Sequence, residues 1–173
     1  MKLTITTELS CTAERAWEEV QQSRLLIHVA APIISFRAIQ SEGFPTIWQE
    51  GRYAAQMKLF GIIPLGKQDV VIEYPITNDG SFQVRDNGQG TIAKRWDHRI
   101  IIQSLPAGNA QYTDSIEVEA GVLTPFVAAF AWIFYRHRQK RWRELARNGF
   151  VYFFNKEMKL YAKKLRRIPQ NLN

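Results

Sequence analysis

"FAWIFYRHRQKRWREL", residues 130–145, begins apolar and aromatic and then becomes a dense cluster of arginine, lysine and histidine around a tryptophan. Its flanks decide what it is. Thr124 and Pro125 lie just upstream, and proline is well placed in a first helical turn. Asn148 and Gly149 follow Arg147 and supply a stop. The spacing predicts one long helix over residues 124–147. In 100° steps Phe126, Phe130, Ile133, Phe134 and His137 form one stripe, read as facing the core, and Ala128, Ala131, Trp132, Tyr135 and Trp142 form a second. A helix apolar on two sides needs two partners. The basic side chains Arg136, Arg138, Lys140, Arg141, Arg143 and Arg147 are expected in solvent near the helix C-terminus, where cations are favourable.

Everything upstream of this helix reads as a sheet with a short helical insertion. "KLTITTEL" alternates with period two, placing Leu3, Ile5 and Thr7 on one face. "CTAERAWEEVQQ" carries a capping Thr12, and "SRLLIHVA" is stopped by Pro32, so two short helices are expected after the first strand. Strand-like runs follow: "IISFRAIQ", "AAQMKLF", "QDVVIEYPI", "SFQVRDN", "TIAKRWDHRIIIQSL" and "AQYTDSIEVEA". They are separated by "SEGFP", "GIIPLG", "TNDG", "NGQG" and "PAGN", all rich in turn residues. The expected fold class is α+β: a curved antiparallel sheet that buries its concave face against the only element long enough to cover it, the C-terminal helix. Sheet and helix would then enclose a cavity.

Composition narrows the function classes. The chain has 173 residues, 46% of them hydrophobic and 23% charged, which suits one folded domain and excludes a disordered chain. One cysteine, Cys11, excludes an internal disulfide and a cysteine-based metal cluster. The start of the chain has no continuous apolar segment of signal-peptide type. The longest apolar run, "VLTPFVAAFAWIFY", is 14 residues, short of a bilayer span. A soluble, cytoplasmic protein is expected. The net charge of +7 is uneven, with 12 basic and 2 acidic residues from Thr124 onward.

The element order, together with "RWDHRII", "TDSIEVEAGVLTP" and "FYRHRQKRWREL" at this spacing, resembles the START-like helix-grip superfamily, also called SRPBCC, and within it the small bacterial ligand-binding or polyketide cyclase-like proteins. The likeness covers about residues 2–145. It implies a sheet wrapped around the C-terminal helix with an apolar pocket between them. It implies little about chemistry, because members include lipid carriers, cyclases and hydrolases.

Candidate chemistry is sparse. "GIIPLGKQ" has Gly61, Gly66 and Lys67 at phosphate-loop spacing, but Gln68 stands where a magnesium-binding hydroxyl belongs, and a strand follows where a helix should. "DNGQG" reads as a hairpin turn. His28, His98 and His137 have no metal-binding spacing, so neither a metal site nor a cofactor is expected. Strand alternation puts Trp96 and His98 on one face, and Tyr112, Asp114 and Ile116 on one face of a neighbouring strand. If these converge, Tyr112, Asp114 and His98 either do acid–base work or form a buried polar network that orients the strands. Ligand-lining candidates are therefore Trp96, His98, Tyr112, Asp114, Ile116, Phe126, Phe130, Ile133, Phe134 and His137, with no catalytic residue assigned.

Residues 1–149 form the expected helix-grip domain and 150–173 a basic, amphipathic helical extension, with Phe154, Met158, Tyr161, Leu165 and Ile168 on one face. That extension is expected to dock on its own body, on a second subunit in a homodimer, or on an anionic membrane surface. Nucleic acid is not expected, because the basic tail also carries an apolar face. The first functional expectation is binding of a hydrophobic small molecule without chemistry of its own. A cyclase, dehydratase or hydrolase acting in the same pocket is second, and an interaction module driven by the tail is third.

Overall fold

The computed structural model describes residues 1–152. Seven strands form one open antiparallel sheet in the order β1-β7-β6-β5-β4-β3-β2. They are β1 (Lys2–Leu9), β2 (Ile34–Ala38), β3 (Gly51–Leu59), β4 (Ile63–Glu73), β5 (Phe82–Gly90), β6 (Arg95–Ser104) and β7 (Ala110–Glu119). Two short helices, α1 (Ala13–Val20) and α2 (Ser23–Ala30), separate β1 from β2, and the long helix α3 (Thr124–Arg147) follows β7. The sheet is curved and grips α3, as the alternation and the long helix predict.

Local chemistry explains the boundaries. The Thr12 hydroxyl accepts from the Arg15 amide at 3.2 Å and caps α1. Pro125 sits in the first turn of α3, and Gly149, with φ at 63°, ends it in the left-handed region. Two boundaries differ from the turn-residue reading, the first being that β4 begins at Ile63, inside "GIIPLG". "DNGQG" is strand, not turn, and β5 runs through to Gly90. The glycines there make room: a Cβ on Gly90 would lie 2.2 Å from Gln68 Oε1, and one on Gly88 would lie 2.3 Å from the Asp69 carbonyl oxygen.

Helix α3 packs closely against β1, β7 and α2, while β3, β4 and β5 stand away from it. Alanines at 128 and 131 permit the close approach, and the buried face continues through Tyr135, Arg138, Trp142 and Leu145. This corrects the stripe assignment. The stripe through Ala128, Ala131, Tyr135 and Trp142 faces the sheet, whereas Phe126 and Ile133 are 75% and 57% exposed. Periodicity alone finds two apolar stripes and cannot rank them; the small side chains decide. Trp132, from the second stripe, is half-exposed beneath the Arg136 guanidinium, 4.8 Å from its ring centre.

The core divides into two clusters. One gathers α1, α2, Trp48, Val70, Ile72, Val84 and Ile100, and the other gathers Ile116, Val118, Ala128, Ala131, Phe134 and Tyr135. Residues 150–152 pack onto the domain: Phe150 meets Trp142 at 5.8 Å, and the Tyr152 hydroxyl donates to the buried Glu19 carboxylate, which also pairs with Arg15 and Arg24. The expected docked helix over 150–168 and its apolar face lie, from residue 153 onward, outside the described residues. No helix among those described is long and apolar enough to cross a membrane.

Candidate functional site

Where the sheet stands away from α3, a cavity of about 360 Å³ opens. Its outer wall is apolar: Met57, Leu59, Leu65, Ile92, Val127 and Phe130. Ile92, Leu123 and Phe126 line it while being themselves exposed, which places the mouth between the β5–β6 connection and the start of α3. The inner wall, toward α1 and α2, is apolar as well: Val20, Leu25, Trp48, Val70, Ile72 and Val84. Between the two lies a polar belt of Gln68, Asp86, His98, Tyr135 and Arg138, one or more from each of β4, β5, β6 and α3.

Of the residues expected to line a ligand site, Trp96, His98, Phe126, Phe130 and Phe134 border this cavity. Tyr112, Asp114 and Ile116 are buried behind it on β7. Ile133 faces outward, and the His137 ring donates from Nε2 to the Ala31 carbonyl at 2.8 Å, tying α3 to the end of α2.

Tyr112, Asp114 and His98 do converge. Asp114 Oδ1 accepts from His98 Nε2 at 2.7 Å and from the Tyr112 hydroxyl at 3.1 Å, and its Oδ2 accepts from Gln139 Nε2 at 2.9 Å. The same Gln139 amide donates to the Ile5 carbonyl at 2.7 Å, so one network stitches β1, β6, β7 and α3 together. Burial works against the Asp114 charge, but the bonds from His98 and Gln139 and the positive charge of Arg138 outweigh it and hold the carboxyl below its ordinary range. Burial holds His98 below its ordinary value, in the neutral form whose Nε2–H the carboxylate requires.

The belt contains groups that sequence reasoning sent elsewhere. Arg138, expected in solvent, is only 8% exposed and borders the cavity, with its guanidinium carbon 4.8 Å over the Tyr135 ring. The available signal was its place in the run 128, 131, 135, 138, 142, 145, a strict three-four alternation on the buried face. Arg136, Lys140 and Arg147 are exposed as expected, whereas Arg141 and Arg143 are partly buried: Arg141 Nε donates to the His28 carbonyl at 2.8 Å and Arg143 to the Thr7 hydroxyl at 2.7 Å.

Asp86 patches a gap in the β4–β5 ladder, its Oδ1 accepting from the Val71 amide at 2.8 Å. Burial pushes its carboxyl up to about 7, opposed by that hydrogen bond and by Arg138 and reinforced by Asp97 and Glu73. The folded protein therefore keeps a proton on Asp86 that the unfolded chain, titrating near 3.8, has released, and ionising it costs stability as pH rises from about 4 to 7. Asp86→Asn should keep the bond to Val71 and escape that cost. It is expected to be more stable than wild type by about 1–3 kcal/mol at pH 8 and nearly equal at pH 4, read by urea denaturation. A difference independent of pH would refute the assignment.

Cys11, half-buried at the β1–α1 junction, has its thiol pushed up to about 11 by burial, which suits packing rather than nucleophilic chemistry. Among the described residues no group of three or more His, Cys, Asp or Glu is arranged to hold a metal ion.

Solved structures with this architecture are numerous. A conserved protein from Geobacillus kaustophilus matches with a TM-score of 0.58 and 17% identity over 86% of this chain and 96% of its own. A protein from Chromobacterium violaceum matches with a TM-score of 0.60 and 14% identity over 84% and 96%. A START superfamily protein from Mycobacterium smegmatis matches with a TM-score of 0.57 and 16% identity over 85% and 97%. At these identities the likeness is one of fold, and the fold is the START-like helix grip. No curated protein matches the sequence. The sequence model of one family matches residues 7–147, from the end of β1 to the last residue of α3, and the chain accordingly belongs to the family described as a domain of unknown function (DUF8410).

Proposed function

We propose that the protein binds a hydrophobic or amphipathic small molecule, of lipid or aromatic polyketide-like class, in the cavity between the sheet and α3. The observation that carries this reading is the cavity itself: about 360 Å³, apolar on its outer and inner walls, with a few polar groups converging at one level. Pockets of this size and make-up are the usual form of small-molecule sites. Covering ~300 Å² of apolar ligand at ~25 cal/mol per Å² contributes several kcal/mol before association costs. The START-like fold agrees with such a role.

A neutral, polarity-sensitive dye such as Nile red should therefore show saturable one-to-one uptake. Val127 borders the cavity near its mouth and is only half-buried, so Val127→Trp should fill the entrance with little strain. It is expected to weaken uptake about tenfold while moving Tm by less than about 3 °C. Undiminished uptake by the folded variant would place the dye elsewhere.

A second reading, acid–base catalysis in the same pocket, draws on the 2.7 Å His98–Asp114 pair, of which His98 borders the cavity. Against it stands the occupation of both Asp114 oxygens by protein donors and the placement of Tyr112 and Asp114 behind the wall. Binding with no turnover of aromatic or polyketide-like substrates favours the carrier; turnover abolished by His98→Gln would favour the enzyme.

A further inference from the structure

We infer that the polar belt is a head-group site, in which Arg138 and Tyr135 hold the carboxylate of an amphipathic acid whose apolar tail lies along the outer wall toward the mouth. This rests on the reading of the cavity as a ligand pocket and names the class of ligand it takes.

Arg138 is more than nine-tenths buried, borders the cavity, and makes no hydrogen bond or ion pair with any described residue. Its Nε is sealed from solvent without a partner. The guanidinium is nonetheless fixed in place, stacked 4.8 Å over Tyr135 and 5.8 Å from the Phe134 ring centre. Burial opposes its charge, and the surrounding Tyr135, Tyr112, Asp114 and Asp86 more than restore it, so it stays cationic. A buried cation without an acceptor is expensive, and a ligand anion supplies what is missing. Asp114 is not that acceptor, because His98, Tyr112 and Gln139 occupy its oxygens.

Tyr135 provides the second donor. Its hydroxyl oxygen accepts from Trp96 Nε1 at 3.1 Å, and its own O–H donates to no described residue. Burial pushes the phenol well up from its ordinary value, so the proton stays on. Tyr135 and Arg138 are one helical turn apart on the same face, a pair of donors suited to the two oxygens of a carboxylate. A phosphate dianion fits less well, since the belt offers one cation for its two charges.

The distance to the mouth sets the tail. Phe126 and Arg138 are twelve residues apart on α3, about 18 Å along the axis at ~1.5 Å per residue. An extended alkyl chain advances about 1.3 Å per carbon–carbon bond, so a tail of roughly fourteen carbons reaches the mouth and a ten-carbon tail runs about two thirds of the way.

The test is calorimetric titration of the full chain with decanoate and with 1-decanol. Wild type should bind decanoate at least about tenfold more tightly than the alcohol, since a charge-assisted bond is formed only with the acid. Arg138→Met should weaken decanoate about tenfold or more, change 1-decanol less than about threefold, and melt no lower than wild type, because an unpaired buried charge is removed. Tyr135→Phe should narrow the preference by a smaller factor and carries the test if Arg138→Met fails to fold. Equal wild-type affinities, or a preference that survives both substitutions, would overturn the head-group site. Failure of both ligands to bind wild type would overturn the pocket reading as well.

Discussion

Asp114→Ala is expected to lower stability by about 4 kcal/mol, roughly 10 °C in Tm. The residue is fully buried, and three donors from three elements point at it: His98 at 2.7 Å, Gln139 at 2.9 Å and Tyr112 at 3.1 Å. Removing the carboxylate leaves His98 and Tyr112 without an acceptor in a place water does not reach and leaves Gln139 only its bond to the Ile5 carbonyl, and each orphaned group costs about 1–3 kcal/mol. The network also has a pH signature. Asp114 is held below its ordinary value, so its contribution is present above about 3.8 and is lost as pH falls through the lower folded value. His98 is likewise depressed, so its contribution is present above about 6.5 and is lost as pH falls further. Asp86 acts in the opposite sense between about pH 7 and 4, so the loss from His98 is read in the Asp86→Asn background, which should weaken on acidification from pH 6.5, and the penalty of Asp114→Ala should shrink in strong acid. Urea denaturation at pH 7 and pH 3 measures both; a loss under 1 kcal/mol at pH 7 would mean that the network does not hold these elements together.

Gly88→Ala should cost about 3 kcal/mol although it adds one methyl group to a strand. The new Cβ would lie 2.3 Å from the Asp69 carbonyl oxygen, 2.8 Å from Gln68 Nε2 and 3.0 Å from Asp86 Oδ1. The carbonyl belongs to the paired strand β4, so relief requires the β4–β5 ladder to open and disturbs both Gln68 and Asp86 in the belt. Gly43 provides the contrast. Its φ of 80° penalises a side chain, yet a Cβ there meets no atom within 4 Å, so Gly43→Ala should cost only about 1 kcal/mol. Thermal melts of the two variants test this directly. Equal and small losses would show that β5 tolerates the methyl and that the glycine is there for another reason.

These two positions show where the sequence was legible and where it was not. Period-two alternation placed Trp96, His98, Ile100 and Ile102 on one face of β6 and Tyr112, Asp114, Ile116 and Val118 on one face of β7, and the burial of both strands follows it. The long helix was equally clear, because proline at its start and Asn-Gly at its end bracket one uninterrupted pattern. Gly88 and Gly90 were not legible, because glycine chosen to admit a neighbour's side chain looks the same in sequence as glycine chosen for a turn. Arg138 was hidden for a different reason. It sits in a run of cations near a helix end, where solvent exposure is the normal outcome, and only the three-four spacing sets it apart from Arg136 and Lys140. Of the expected pocket residues, Trp96 and His98 on β6 and Phe126, Phe130 and Phe134 on α3 border the cavity, whereas those on β7 lie behind it, because α3 leans on β1 and β7 and opens space only over the strands beyond.

The most direct test of the cavity as a ligand site is a methyl NMR titration with 1-decanol, which is independent of any charged head group. Leu59, Leu65, Val70, Ile92 and Ile100 line the cavity, whereas Ile76 is 97% exposed and Ile133 faces solvent from the outer side of α3. The account predicts saturable shifts of the cavity methyls, complete at one equivalent of bound ligand, with Ile76 and Ile133 unmoved. Shifts concentrated on Ile76 and Ile133, or no saturable shift of the cavity methyls, would contradict it.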